Sequence, residues 1–235
     1  MEKVLIIIPT YNEVDNISHI ISKIFICAPN VDILVVDDSS PDGTSLVVKK
    51  IINKYREKLF LLNRKEKLGL GPAYIAGFQW ALGKNYEVIF EMDADFSHDP
   101  KEILNMLKIL NDGFDLVIGS RYKEGINVLN WPLGRILLSY IASLYVRLIT
   151  GMPIRDSTSG FVAYKSIILK KISLDNIKFQ GYAFQIEMKY KSWINGFNLI
   201  EHPIVFKNRV KGESKMNINI FWEAIFGVIK MRLFK

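Results

Sequence analysis

"KVLIIIPTYNE" (3–13) is an unbroken apolar run that stops at Pro9 and opens at once into polar residues. A strand wetted on one side alternates apolar and polar residues. This run does not, so both of its faces are expected to be covered, as in a parallel sheet. "VDILVVDD" (31–38) repeats the pattern, and "SPDG" (40–43) turns the chain into a helix near 44–57. "LFLLN" (59–63), "YEVIFEMD" (86–93) and "FDLVIGS" (114–120) read as further strands. Helical patterns near 15–27 and 71–83 separate them, as does "DPKEILNMLKIL" (99–110), which opens on Asp99 and Pro100. The alternation predicts an α/β fold with a mostly parallel sheet and helices on both faces. On such sheets ligands bind at the carboxyl ends of the strands. Three polar clusters fall there: "PTYNE" (9–13), "DDSSPDG" (37–43) and "DADFSH" (93–98).

The second half is less regular. A long helix is expected near 132–150, another near 182–195, a strand over 197–206 and an amphipathic segment over 218–235. With 235 residues, 49% apolar and 23% charged, and no repeat or linker, a single globular domain is expected. Cys27, the only cysteine, excludes an intrachain disulfide. Its place in the series Ile20, Ile21, Ile24, Cys27 predicts a core thiol. The apolar run at the N-terminus is too short for a signal peptide. No stretch reads as membrane-spanning, since "LGRILLSYIASLYVRLIT" (133–150) carries Arg135 and Arg147. The net charge of +7 is concentrated in residues 207–235, where seven Lys/Arg face Glu213 and Glu223. Such a block suits an anionic partner: nucleic acid, a phosphorylated ligand or anionic lipid.

Asp93 and Asp95 flank the small Ala94 after an apolar strand. In an extended segment both carboxylates project to one side, where they can hold Mg²⁺ or Mn²⁺ with positions left for water and diphosphate oxygens. Alone, the pair is a weak signal and favours a solvated loop after a strand, or a helix cap. Two other acidic clusters at the same edge favour a metal–phosphate site. No glycine-rich phosphate loop follows any strand, which counts against a dinucleotide dehydrogenase or a P-loop NTPase.

In order along the chain, "IIIPTYNE", "VVDDSSPDGT", "GLGPAYIAGF", "DADFSHDP", "GSRY", "NWPLGR", "DSTSGF" and "RVKGESKM" resemble the family-two glycosyltransferases. Within that family they are most similar to the polyprenol-phosphate (dolichol-phosphate) mannosyltransferases. The resemblance runs from about residue 3 to 216. It implies a glycosyltransferase-A catalytic domain over 1–216, with 217–235 as an amphipathic C-terminal segment of the same domain. It further implies that Pro9, Tyr11, Glu13, Val36 and Asp38 surround the donor nucleoside. Asp93 and Asp95, with Ala94 alongside, would hold the metal on the diphosphate. The position of Ser97 is often a glutamine that reaches the metal, and the shorter serine would reach it through water. Arg121, Arg135 and Ser139 match positions contacting the acceptor phosphate. Arg209 and Lys215 match positions reaching the donor diphosphate, on a loop that Gly212 makes flexible. Arg121 and Arg209 join Asp93 and Asp95 as the expected catalytic set.

The resemblance therefore implies an inverting transferase that moves mannose from GDP-mannose to a polyprenyl or dolichyl phosphate. UDP-glucose is the rival donor. A sugar-nucleotide pyrophosphorylase would carry a glycine-rich nucleotide signature, which "IIIPTYNE" is not. A non-enzymatic membrane- or nucleic-acid-binding module would leave Asp93 and Asp95 without a purpose, so nucleic acid is not the expected partner. His98 reads as a loop or capping residue, and neither Asp95 nor Glu187 is expected to act as a base. Many relatives carry transmembrane helices after the catalytic domain, and this chain resembles the short forms. A cytoplasmic protein, peripheral on the cytosolic face of a membrane, is the expectation. Phe221, Trp222, Ile225, Phe226, Ile229 and Leu233, with Lys230, Arg232 and Lys235, would form an interfacial helix. The same helix also suits packing on its own core, or binding a membrane-anchoring subunit.

Overall fold

The computed structural model describes residues 2–55, 57–208 and 218–233, with 218–224 described by their backbone alone. The elements run β1 (Val4–Thr10), α1 (Ile17–Cys27), β2 (Asp32–Asp37), α2 (Thr44–Ile51), β3 (Leu59–Asn63), α3 (Leu70–Gly83), β4 (Val88–Glu91) and α4 (Glu102–Asn111). They continue through β5 (Leu116–Ser120), β6 (Val128–Leu129), α5 (Leu133–Thr150), β7 (Val162–Lys165), α6 (Ser166–Lys171), α7 (Tyr182–Ile194), β8 (Leu199–Pro203), β9 (Phe206–Lys207) and α8 (Ile218–Leu233).

The main sheet has the order β3-β2-β1-β4-β7-β5-β8. β1 explains why its run is apolar throughout. Leu5 and Ile7 enter a core with α3, α6, α7 and α8, while Val4, Ile6 and Ile8 enter the opposite core with α1, α2 and α4. The period-two alternation is present, and both of its phases are buried. β7 is the departure from expectation: it lies between β4 and β5 and is antiparallel to both. Its four residues sit within "RDSTSGFVAYK", which gave no strand in the sequence reading, and periodicity is the same for either pairing direction. The strand expected over 197–206 divides into β8 and β9, and β9 pairs with β6 in a separate ribbon. The helix expected near 44–57 gives way after Ile51 to a single 3₁₀ turn.

Two further expectations need correction. Cys27 is half-buried at the end of α1, so Ile20, Ile21 and Ile24 enter the core but the thiol is not fully buried with them. α5, with 18 residues of mean hydropathy 1.3, does meet the length and apolarity of a membrane span despite Arg135 and Arg147. Only 17% of it is buried. Leu133, Leu137, Leu138, Ile141, Leu144 and Leu148 are exposed along it. α8 divides its residues: Val228 and Met231 enter the core, while Phe226, Ile229 and Leu233 face outward.

Candidate active site

The carboxyl ends of β1, β2 and β4 line one cavity of about 400 Å³, closed on its other side by α5, the entry to β7, and the start of α7. The loops after β1 and β2 are tied together by side chains. Thr10 Oγ1 and Ser40 Oγ both donate to Asp37 Oδ1, at 2.8 and 2.6 Å. Ser40 Oγ and Thr44 Oγ1 accept the N–H groups of Asn12 and Glu13. Asn12 itself adopts a left-handed φ of 58°, which asparagine tolerates better than most residues. Pro9, Tyr11 and Glu13 thereby reach the cavity wall, with Asp38 beside them. Asp38 is buried, and burial pushes its carboxyl above the usual range although Arg64 pairs with it at 2.8 Å. Val36 does not join them: it is wholly buried in the sheet core and absent from the cavity lining, because its position in β2 points the side chain into the core shared with α3.

β4 ends at Glu91, so Asp93 and Asp95 are not presented by strand periodicity. They lie in a bend, made possible by a left-handed φ of 64° at Phe96, and the Ser97 N–H donates to Asp95 Oδ1 at 3.0 Å. The bend still brings Asp93, Ala94, Asp95 and Ser97 to the cavity wall. His98 props the bend from behind. Its Nδ1 accepts the Asp93 N–H at 3.2 Å, and its ring stacks on Phe161 with centroids 5.0 Å apart. Burial lowers its pKa to about 4, so the ring is neutral at pH 7.

Across the cavity stand two arginines. Arg121, just past β5, is buried and held by both oxygens of Asp156, with Thr158 Oγ1 accepting a further bond at 2.8 Å. Arg135, on the first turn of α5, donates to Asn208 Oδ1 at 3.3 Å. Both guanidinium groups lie over Trp131, at 5.5 and 4.0 Å from its ring centroid. Arginine stacks in this way while its planar fork still donates hydrogen bonds, and on Arg121 the Nε and Nη2 groups are already taken by Asp156 and Thr158. Ser139 is one helical turn beyond Arg135 and half-buried, and it is not among the cavity-lining residues. Arg209, Gly212 and Lys215 lie outside the described residues. Glu187 stands away from the cavity, accepting the N–H groups of Lys178 and Phe179 and pairing with Lys191.

Several lining residues carried no role in the sequence reading. Gln185 is the most constrained: Nε2 donates to buried Glu91 at 2.6 Å, and Oε1 accepts from buried Lys189 at 3.1 Å. Burial raises Glu91 to about 7 and lowers Lys189 to about 8, each opposed by the charge of the other. Asp156 sat in the quoted "DSTSGF", and Trp131 in "NWPLGR", without an assigned contact. Among the described residues no cluster of three His, Cys, Asp or Glu is arranged to hold a metal ion.

The cavity joins acidic strand ends to two arginines at the carboxyl edge of the sheet, the place where α/β enzymes bind their ligands. Residues 5–173 match the family described as Glycosyl transferase family 2, and the chain belongs to that family. The polyprenol monophosphomannose synthase of Mycolicibacterium smegmatis is 43% identical over 97% of this chain and 86% of its own length. The undecaprenyl-phosphate mannosyltransferase of Micrococcus luteus is 41% identical over 98% and 94%. Among solved structures, glucosyl-3-phosphoglycerate synthase from Mycobacterium tuberculosis, in complex with Mn²⁺, UDP and glucosyl-3-phosphoglycerate, superposes with a TM-score of 0.68 at 17% identity. The match covers 99% of this chain and 79% of that one. The same protein with Mg²⁺ and UDP gives 0.70 at 16% identity, over 100% and 80%. These neighbours share the fold, which is the mostly parallel glycosyltransferase-A sheet expected from the sequence.

Proposed function

We propose that this chain transfers mannose from GDP-mannose to a polyprenyl phosphate with inversion at the anomeric carbon. The observation that carries the reading is the pair Arg121 and Arg135 across one cavity from Asp93 and Asp95. The names of both curated relatives support the lipid phosphate acceptor and the mannosyl group. Pro9, Tyr11, Glu13 and Asp38 would enclose the nucleoside.

The donor set fits a divalent ion. Asp93 and Asp95 supply two carboxylates, and Ser97 Oγ is buried beside them without a hydrogen-bond partner. An orphaned buried hydroxyl is costly, and a ligand or ligand-bound water would satisfy it. Mg²⁺ or Mn²⁺ bound there would neutralise charge on the departing diphosphate. The cavity's arginines would orient the acceptor phosphate, whose oxygen attacks the anomeric carbon as the bond to the diphosphate breaks. A phosphate monoester is already anionic at neutral pH, its second pKa being about 6, so the attack requires no general base. Glu187, engaged by two backbone N–H groups and Lys191, is not needed for one.

The exposed leucines and isoleucines of α5, with Phe226, Ile229 and Leu233 of α8, would rest on the bilayer that carries the acceptor. Attachment is then peripheral. Incubating the purified chain with radiolabelled GDP-mannose, UDP-glucose or UDP-GlcNAc and polyprenyl phosphate tests the reading. Label should move to the lipid from GDP-mannose and depend on a divalent metal. Preferential transfer from UDP-glucose would replace the donor assignment.

A further inference from the structure

Beyond the acceptor position between Arg121 and Arg135, a second cavity of about 250 Å³ is lined by Tyr122, Tyr140, Leu144, Arg147 and Arg155. Both of its arginines are exposed. Among the described residues no carboxylate pairs with Arg147 or with the Arg155 guanidinium. The nearest candidates are already committed. Asp156 is taken by Arg121, and Glu201 accepts from Ser120 Oγ and from the N–H groups of Arg155 and Asp156. The Arg155 side chain is tethered by one bond from Nη1 to the carbonyl of Lys123 at 3.1 Å, which leaves the rest of its fork available. Tyr122 and Tyr140 meet edge to face at 5.5 Å and form one wall of the cavity.

The cavity opens at a specific place. Leu144 is both a lining residue and an exposed one, and it continues the outward stripe Leu137, Ile141, Leu144, Leu148, spaced as one helical face. A cation at the end of α5 is favoured by the helix dipole alone. That does not account for a second exposed arginine, brought in from another segment to line the same open cavity.

We infer that this cavity binds the phosphodiester headgroup of an anionic phospholipid, while the apolar stripe beside it enters the bilayer. The inference rests on the proposed membrane-facing role of α5. Two arginine forks can chelate phosphate oxygens in parallel, which lysine cannot reproduce. The site therefore depends on arginine itself and not on charge alone.

Co-sedimentation of the full chain with phosphatidylcholine vesicles, with and without phosphatidylglycerol, tests it. Transfer to a short water-soluble prenyl phosphate serves as the control for an intact active site. Arg147→Gln and Arg155→Gln should each weaken binding to phosphatidylglycerol vesicles about fivefold, the factor given by ~1 kcal/mol per basic residue at an anionic surface. Binding to phosphatidylcholine and transfer to the soluble acceptor should not change. Arg147→Lys with Arg155→Lys should lose a comparable part. Full binding by the lysine variant overturns the site, leaving only diffuse electrostatic attraction. Equal displacement by soluble glycerol phosphate assigns the cavity to a free phosphate ester and overturns the lipid. Absence of binding by the unaltered chain to any vesicle removes the membrane-facing reading along with the site. If vesicle binding behaves as expected but mannose is not transferred, the functional reading fails alone.

Discussion

Arg121 and Asp156 form a two-point ion pair, Nε to Oδ2 at 2.7 Å and Nη2 to Oδ1 at 2.6 Å, with both side chains buried. The same carboxylate also accepts the Arg121 N–H at 2.9 Å. Burial works against the Arg121 charge, and Asp156 more than offsets it, so the guanidinium is held firmly protonated. The loop carrying Asp156 is itself anchored by buried Glu201, which accepts the Asp156 N–H at 2.8 Å. A substrate phosphate would thus meet an arginine whose orientation is fixed in advance, which lowers the cost of ordering it on binding.

Asp156→Ala should remove that support and leave a buried cation unpaired. Breaking such a pair from one side typically costs about 3–5 kcal/mol. A lower urea midpoint together with lost transfer is the expected result. Normal stability with normal activity would show that the pair organises nothing.

Asp93→Asn and Asp95→Asn should each fold and melt near the parent protein, because asparagine keeps the side-chain shape and, at 95, an Oδ1 acceptor for the Ser97 N–H. Both variants should lose transfer and metal-supported nucleotide binding, and EDTA should have the same effect on the unaltered chain. Calorimetric titration with GDP, with and without Mn²⁺, separates binding from turnover. Full activity in either variant or in EDTA rules out the metal reading.

Arg135→Ala addresses the acceptor. Its guanidinium is half-exposed, stacked on Trp131 and bonded to Asn208, so its loss should leave the fold unchanged. Loss of a charge-assisted hydrogen bond is worth roughly 1.5–3 kcal/mol. KM for polyprenyl phosphate should rise by about tenfold or more while GDP affinity is retained. The opposite pattern would move Arg135 to the donor side.

The sheet edge was legible because β1, β2 and β4 are apolar runs that end abruptly in polar residues, and doubly covered strands leave that imprint. The positions of Asp93 and Asp95 followed from it, although a bend at Phe96 and not strand alternation delivers them. What failed depends on pairing across the chain. Asp156 meets Arg121 from 35 residues away, and β7 enters between β4 and β5 in the reverse direction. Glu91 was hidden inside an apolar strand, where its partners Gln185 and Lys189 come from a helix more than ninety residues on. Val36 was placed at the nucleoside by resemblance alone, and strand geometry turns it into the core. The exposure of α5 escaped because an apolar helix reads the same whether it packs inside or faces outward.

Gly71→Ala should connect packing to donor binding. A Cβ at Gly71 would stand 2.8 Å from the Phe179 carbonyl oxygen and 2.9 Å from Phe184 Cδ2. The Gly71 N–H also donates to the Gln180 carbonyl at 2.8 Å. The start of α3 therefore presses directly on the segment that places Gln180, Gly181 and Tyr182 at the cavity. Overpacking of this kind typically costs about 1–3 kcal/mol. A lower melting temperature with weaker GDP binding is expected, whereas Gly134→Ala, where the added Cβ meets open space, should change neither.

On the proposed reading the lipid-facing role would fall chiefly on α5, whose leucines and isoleucines are exposed. Deleting the chain after Met216 would remove Val228 and Met231 from the core, as well as Gly227, whose backbone packs tightly against Phe179. Such a truncation should unfold part of the domain and cannot isolate membrane contact. Leu137→Ser, Ile141→Ser and Leu148→Ser instead remove apolar groups that are exposed in the free protein. Full burial of one such side chain is worth about 1.5–3 kcal/mol. Partial insertion of three should strengthen vesicle binding by on the order of a hundredfold or more. The triple variant should therefore sediment poorly even with neutral phosphatidylcholine vesicles and transfer slowly to long polyprenyl phosphates. Its melting temperature and its transfer to a short soluble acceptor should match the parent. Unchanged vesicle binding would place the membrane contact on another surface, and a large fall in melting temperature would mean that these residues pack within the protein.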